Sequence, residues 1–168
     1  MSEEIQGPLK FFAPAPDDPR LKILAKKLKE EKFYLSDEFR DYDSIWKIIK
    51  YYFFENQNSI WYEIGDFGGL LGFVSIIPGW RGELFFKLWN KKEWKLSTAK
   101  AIKNEINNIV KTFDLKRLGL ESGDPISVKM GKMFKFEIEG RQGLGFSWNK
   151  RLGTKYLLRY LKKQKRRK

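Results

Sequence analysis

The sequence predicts an α/β chain of the α+β kind, with a mixed, mostly antiparallel central sheet and helices on both faces. Three observations predict it. Short apolar strand patterns in the middle of the chain follow one another through tight Gly- and Pro-bearing turns, which makes neighbouring strands antiparallel. A strand, a long amphipathic helix and another strand then follow over 83–120, the pattern of a right-handed parallel crossover. The chain has 168 residues, 42% of them hydrophobic and 16% aromatic, enough to build one core and unlike a disordered segment.

Each element has its own signal. Leu9-Lys10-Phe11-Phe12 is a strand candidate running into Ala13-Pro14-Ala15-Pro16, which must be extended. Asp17-Asp18-Pro19 reads as a helix start, an Asp N-cap followed by Pro at the first helical position. Leu21, Leu24, Ala25 and Leu28 then recur at helical spacing. A second helix is expected from near Ser36 or Asp37. Phe39, Tyr42, Ile45, Trp46 and Ile49 share one face, Tyr52 and Phe53 extend it, and Asn56-Gln57-Asn58 ends it.

Strands follow. The first covers 60–64, a glycine-rich turn covers 65–69, and 70–77 is the near-continuous apolar run of a strand buried on both faces. Pro78-Gly79 turns the chain into a third strand over 83–89. The polar loop 90–96 carries three lysines, and Ser97 is the expected N-cap of a long helix. Ile102, Ile106, Ile109, Val110 and Phe113 give that helix an apolar stripe. A strand over 116–120, a small helix over 125–133 and strands over 136–139 and 155–160 complete the order. The expected organisation is an N-terminal tail at 1–8, one domain at 9–160 and a basic tail at 161–168.

Composition narrows the chemistry. The chain has no cysteine and no histidine, which rules out disulfides, Cys/His zinc sites, Ser/His/Asp triads and Cys/His nucleophiles. Any base or nucleophile must be Ser, Thr, Tyr, Lys, Asp, Glu or a water held by them, and no metal site is expected. No apolar run has membrane-spanning length, and the acidic N-terminus lacks the layout of a signal peptide, so a cytoplasmic address is expected. The net charge is +13. Ten of the 34 basic residues and none of the 21 acidic ones lie at 150–168, so the rest of the chain is nearly balanced. The basic tail is either a solvated terminus or a weak contact for nucleic acid.

Three segments carry a resemblance beyond the order of elements. They are Leu70-Leu71-Gly72-Phe73-Val74-Ser75-Ile76-Ile77 with the strand Glu83-Leu84-Phe85-Phe86-Lys87-Leu88-Trp89; Ser97-Thr98-Ala99-Lys100-Ala101-Ile102 through Asp114-Leu115-Lys116-Arg117-Leu118-Gly119-Leu120-Glu121; and Asp124-Pro125-Ile126-Ser127-Val128-Lys129-Met130 with Phe136-Glu137-Ile138-Glu139-Gly140-Arg141. Together they resemble the GCN5-related N-acetyltransferase (GNAT) superfamily, and most of all its ribosomal-protein and tRNA-charging branch and phage relatives.

The resemblance implies acetyl-CoA as cofactor and an amine acceptor, either a small molecule or a protein N-terminus or lysine. It places cofactor contacts at Phe86, Lys87, Leu88 and Trp89 on the central strand, and at Lys91, Lys92, Trp94, Lys95, Ser97 and Thr98 on the loop and helix start. Glu83 and Glu121 are the implied catalytic carboxylates. The sequence departs from the family's pattern at four places. The segment 91–98 lacks the glycines of the family's Arg/Gln-x-x-Gly-x-Gly/Ala signature, Lys135 stands where Gly precedes Phe136, Gly131 stands where many relatives have Tyr, and Asp124 replaces Asn.

The implied reaction is direct attack of a neutral amine on a thioester. It needs a base, a donor for the developing oxyanion and a proton for the leaving thiolate. Glu83 or Glu121 can be that base, and either can equally cap a strand end in solvent. Lys91, Lys92 and Lys95 can hold phosphates or form a solvated surface loop, while Trp94 can stack on adenine or seal the loop into the core. Trp61, Tyr62, Trp80 and Trp89 fit packing roles in strand patterns. Pro78-Gly79-Trp80-Arg81-Gly82 is either a substrate-facing loop or a plain turn. The alternative to an acetyltransferase is a GNAT-like fold without catalysis, a binding module for nucleic acid or a macromolecular assembly.

Overall fold

A computed structural model describes residues 7–30, 42–122, 125–148 and 151–160. Along the chain these form β1 (Leu9–Phe11), α1 (Pro19–Glu30), α2 (Tyr42–Lys50) running on as a π-helical turn (Tyr51–Glu55), β2 (Ile60–Ile64), β3 (Gly69–Ile77), β4 (Arg81–Leu88), a 3-10 turn (Lys91–Glu93), α3 (Leu96–Thr112), β5 (Arg117–Ser122), α4 (Pro125–Met133), β6 (Phe136–Trp148) and β7 (Arg151–Tyr160). The strands form one seven-stranded sheet in the order β1-β2-β3-β4-β5-β7-β6. The pairs β1–β2, β2–β3, β5–β7 and β6–β7 are antiparallel, and β4–β5 is parallel. The predicted mixed, mostly antiparallel sheet is therefore present. No helix among the described residues is long and apolar enough to cross a membrane.

By contact density the chain divides into two compact units, Met1–Ser75 with Phe85–Ala101, and Ile76–Leu84 with Ile102–Lys168. In the first, α1 begins as its sequence dictates: Asp18 Oδ1 accepts from the Arg20 main-chain N–H at 2.8 Å, satisfying one of the amides a helix start leaves without an acceptor. Leu21, Leu24, Ala25 and Leu28 are buried. Arg20 folds back on Asp18 (2.7 Å), reaches Glu63 of β2 at 2.8 Å and lies over the Phe12 ring. Its hydrogen-bonded guanidinium holds the Asp18 carboxyl below the usual carboxylate range, and Asp18 raises Arg20 in return.

The second helix buries Ile45, Ile48 and Ile49. Its continuation over Tyr52 and Phe53 is π-helical and closes where Asn56 N–H donates to Tyr51 O at 2.7 Å. The expected start near Ser36 or Asp37, and Phe39, lie outside the described residues. β1 stops at Phe11, one residue before the predicted end, yet Phe12 N–H still donates to Trp61 O at 2.8 Å. The Phe12 ring is buried in a core shared with Leu21, Leu24, Ile45, Trp61 and Leu70. The Trp61 indole lies flat enough on Gly72 that a Cβ there would overlap its six-membered ring.

The second unit holds the crossover. β4 pairs with β5 in parallel from Arg81↔Arg117 to Glu83↔Gly119. The turn before β4 is tied down at both sides. Gly79, at φ +76°, donates to Phe113 O at 2.8 Å, and Trp80 O accepts from Lys116 and Arg117 N–H. These bonds fit a structural turn. α4 matches its predicted range.

The β6–β7 hairpin is much longer than the predicted strands at 136–139 and 155–160. Gly140, Gly143 and Gly145 lie just beyond the first of those predicted strands. In the structure the ladder absorbs this stretch at register shifts between Ile138 and Gly140 and between Gln142 and Phe146, which is where a strand tolerates glycine.

Candidate active site

The segment from β4 to α3 is held by a turn on the neighbouring hairpin. Trp89 N–H and Asn90 N–H both donate to Gly68 O, at 3.0 and 2.9 Å, and the Trp89 indole N–H donates to Phe67 O at 2.7 Å. Asn90 then caps the 3-10 turn, its side-chain oxygen accepting from Lys92 N–H at 3.1 Å. The chain passes through Trp94, whose ring packs edge-on against Phe86 with centroids 6.1 Å apart.

Helix α3 starts earlier than predicted. Ala99 N–H donates to Lys95 O at 3.0 Å, so Lys95 holds the N-cap position and Ser97 lies inside the first turn. The Asn90-capped turn fixes the entry of the chain before Ser97 is reached. Among the described hydrogen bonds, the N–H groups of Leu96, Ser97 and Thr98 have no acceptor. They form the positive end of a 17-residue helix, the arrangement that favours phosphate oxygens.

The loop brings several predicted residues together. Lys91, Lys92, Lys95 and Ser97 are exposed beside that helix start, and Trp94 is 36% exposed. Phe86, Lys87 and Leu88 are half-buried on β4. Trp89 is turned to the Phe67–Gly68 main chain. Thr98 is buried at 1% exposure, so its hydroxyl is not presented to solvent as the sequence reading expected.

Residues that sequence reasoning passed over shape this loop. The Glu93 side chain lies so close over Gly65 and Gly68 that a Cβ at either would overlap it. A Cβ at Gly68 would also stand 3.0 Å from Asn90 Cβ, and one at Gly69 would be 2.6 Å from Lys87 O. The loop has no glycine of its own, and the glycines that permit close approach sit on the opposing turn. The available signal was the Gly65-Asp66-Phe67-Gly68-Gly69 run and an Asn directly before the lysine pair.

The two candidate carboxylates belong to the second unit. Glu83 is exposed on β4 between buried Gly82 and Leu84, opposite Gly119 on β5. Glu121 pairs by its main chain with Leu157 and lies two residues past Gly119, about 6.6 Å along the strand. Its side chain, Asp124 and the tail at 161–168 lie outside the described residues. Gly131 is buried within α4. Lys135 takes φ +71°, in the left-handed region that favours glycine.

No protein-family model matches the sequence, and no curated protein matches it. Solved structures do. A chimera of the Vibrio cholerae spermidine N-acetyltransferase SpeG and hSSAT superposes with a TM-score of 0.70 at 15% identity, covering 92% of this chain and 96% of its own. The Vibrio cholerae enzyme solved with CoA and spermine gives 0.65 at 13% identity over 90% and 94%. A dodecameric form of that enzyme in an intermediate state gives 0.66 at 16% over 92% and 94%. At these identities the likeness is one of fold, and the fold is that of GNAT proteins. These neighbours support the superfamily's architecture and not the ribosomal-protein or phage branch.

Proposed function

We propose that this chain is an acetyl-CoA-dependent N-acetyltransferase acting on an amine. The observation that carries the reading is the α3 N-terminus. Three N–H groups without a described acceptor stand beside exposed Lys91, Lys92 and Lys95, directly after the central strand of a fold shared with spermidine N-acetyltransferases. Those groups suit a pyrophosphate: the exposed Lys91, Lys92, Lys95 and Ser97 stand beside the N–H groups of the helix start. Trp94 offers a partly open ring to adenine, and Phe86, Lys87 and Leu88 supply strand surface for the remainder of the cofactor.

When bound, acetyl-CoA supplies a thioester carbonyl as the electrophile. In the transfer the amine nitrogen bonds to the acyl carbon, the carbon–sulfur bond breaks, and the sulfur leaves as CoA thiolate. Glu83 or Glu121 accepts the proton the amine sheds. Gly131 carries no hydroxyl, so that position would offer the thiolate no proton. The acceptor is read as a small-molecule amine, in keeping with the spermidine enzymes that share the fold, in preference to a ribosomal protein.

Gly131 also favours a second reading, a GNAT-like binding module without catalysis whose basic tail contacts nucleic acid. Thermal unfolding with acetyl-CoA at low and moderate salt separates the two. Ligand at ~100 times its dissociation constant adds about 2.7 kcal/mol. The expected result is a clear rise in melting temperature that disappears when Lys91, Lys92 and Lys95 are all replaced by Ala. No rise at millimolar acetyl-CoA defeats the acetyltransferase reading and leaves the module.

A further inference from the structure

We propose a binding site for single-stranded nucleic acid where β4 and β5 begin, within the second unit; it goes beyond the acetyltransferase reading and does not depend on it. Its platform is Trp80. The residue is 56% exposed, yet its main chain is fixed by three hydrogen bonds. Trp80 N–H donates to Ile77 O at 3.0 Å, and Trp80 O accepts from Lys116 N–H at 2.8 Å and Arg117 N–H at 3.0 Å. The Arg81 guanidinium lies 4.9 Å from the Trp80 ring centroid, a cation–π contact that steadies the indole from one side. A ring held ready on a fixed turn loses little freedom when a base stacks on it, and every base has a face that can do so.

The charges beside the ring are short of anions. Arg81 partners Arg117 in the parallel register, and Gly119, two residues on, partners Arg159. Register partners and alternate residues share a face, so Arg81, Arg117 and Arg159 stand on one face of three adjacent strands, all exposed. Glu139 is bonded to Arg117 and lies 3.8 Å from Arg159, one carboxylate for two guanidiniums. Glu83 shares the face but makes no ion pair with Arg81, and among the described residues no carboxylate pairs with Arg81 or Lys116. Like charges side by side on neighbouring strands repel, and a run of phosphates relieves that repulsion. β7 is antiparallel to β5 and so finishes at this end of the sheet. From Tyr160 the chain continues into Lys162-Lys163-Gln164-Lys165-Arg166-Arg167-Lys168, which attaches the basic tail where the arginines stand. An acidic peptide would meet these charges but leave the exposed ring unused.

Titration of the full chain into fluorescein-labelled oligo(U) and oligo(dT), read by anisotropy, tests the site. Both are expected to bind, and more tightly than a duplex of the same length, whose bases are already stacked on one another. Trp80→Leu keeps apolar bulk without a π-face and is expected to weaken binding about ten-fold or more, the ratio that one lost base stack carries. Trp80→Phe is expected to retain most of the affinity. Lys116→Ala is expected to flatten the slope of log affinity against log salt by about 0.7, the value of one phosphate contact on a single strand. Tighter binding of oligo(U) identifies RNA as the ligand and tighter binding of oligo(dT) identifies DNA; either upholds the site. Unchanged affinity in Trp80→Leu, equal binding of the duplex, or displacement by polyglutamate as effective as that by unlabelled oligonucleotide overturns it. Displacement by millimolar CoA also overturns it, because the strand would then lie on the lysine loop and not at Trp80.

Discussion

The indole N–H of Trp89 donates to the main-chain carbonyl of Phe67 at 2.7 Å. That bond joins the end of β4 to the turn between β2 and β3, and two main-chain bonds to Gly68 O reinforce it. Trp89→Phe keeps most of the ring but removes the donor and leaves the Phe67 carbonyl with a lost partner. We expect a loss of about 1–2 kcal/mol in unfolding stability, measured as a lower urea midpoint with unchanged slope. The lysine loop follows directly, so the acetyl-CoA melting shift should shrink in the same variant.

Gly68 and Glu93 should be energetically coupled. Gly68→Ala places a methyl group where the Glu93 side chain lies, and overpacking of this kind costs about 1–3 kcal/mol. Removing the obstacle with Glu93→Ala in the same chain should recover part of that loss, though not all, because Asn90 Cβ remains 3.0 Å away. A double-mutant cycle on thermal stability measures the coupling. Strict additivity would show that the two side chains do not share that space in solution.

Lys135 holds φ +71°, in the left-handed region where a side chain is strained by about 1–2 kcal/mol. Glycine escapes that strain but adds freedom to the unfolded chain, which costs roughly 0.5–1 kcal/mol. Lys135→Gly should therefore stabilise the chain by about 0.5–1 kcal/mol, seen as a rise of a few degrees in melting temperature. Lys135→Ala, with the same φ and no relief, should not.

Acid should act through the Asp18–Arg20 contact. The guanidinium depresses the folded-state pKa of Asp18, so the stability it contributes is complete above the ordinary Asp value, about 3.9, and is lost as pH falls through the lower folded value. Arg20→Met removes the cause. The stability gap between the native chain and this variant should be widest near neutral pH and close as pH drops below about 4. A gap that stays constant to low pH would show that Arg20 acts through packing on Phe12 and not through charge.

Local chemistry made much of this chain readable. Asp18 and Pro19 mark the start of α1, apolar spacing marks its buried face, and the 60–64 strand and the 125–133 helix follow from pattern and flanking breakers alone. Segments where two local signals compete were harder to read. Ser97 has the side chain of an N-cap, yet Asn90 and Trp94 set the entry of the chain first, so the helix begins at Leu96. The strand predicted over 136–139 runs on through the glycines at 140–145 because a partner strand offers a bulged register to hold them. Lys135 stands where the resembled pattern has Gly, and only the structure shows that it takes a glycine's conformation.

The sequence by itself determined the fold class, the absence of histidine and cysteine chemistry, and the place of the lysine loop, because periodicity, composition and residue spacing are local and additive. Only the tertiary structure decided how a loop without glycine is held. Close approach is a property of two segments at once: the room that Glu93 and Asn90 need is provided by Gly65 and Gly68, more than twenty positions away in the chain.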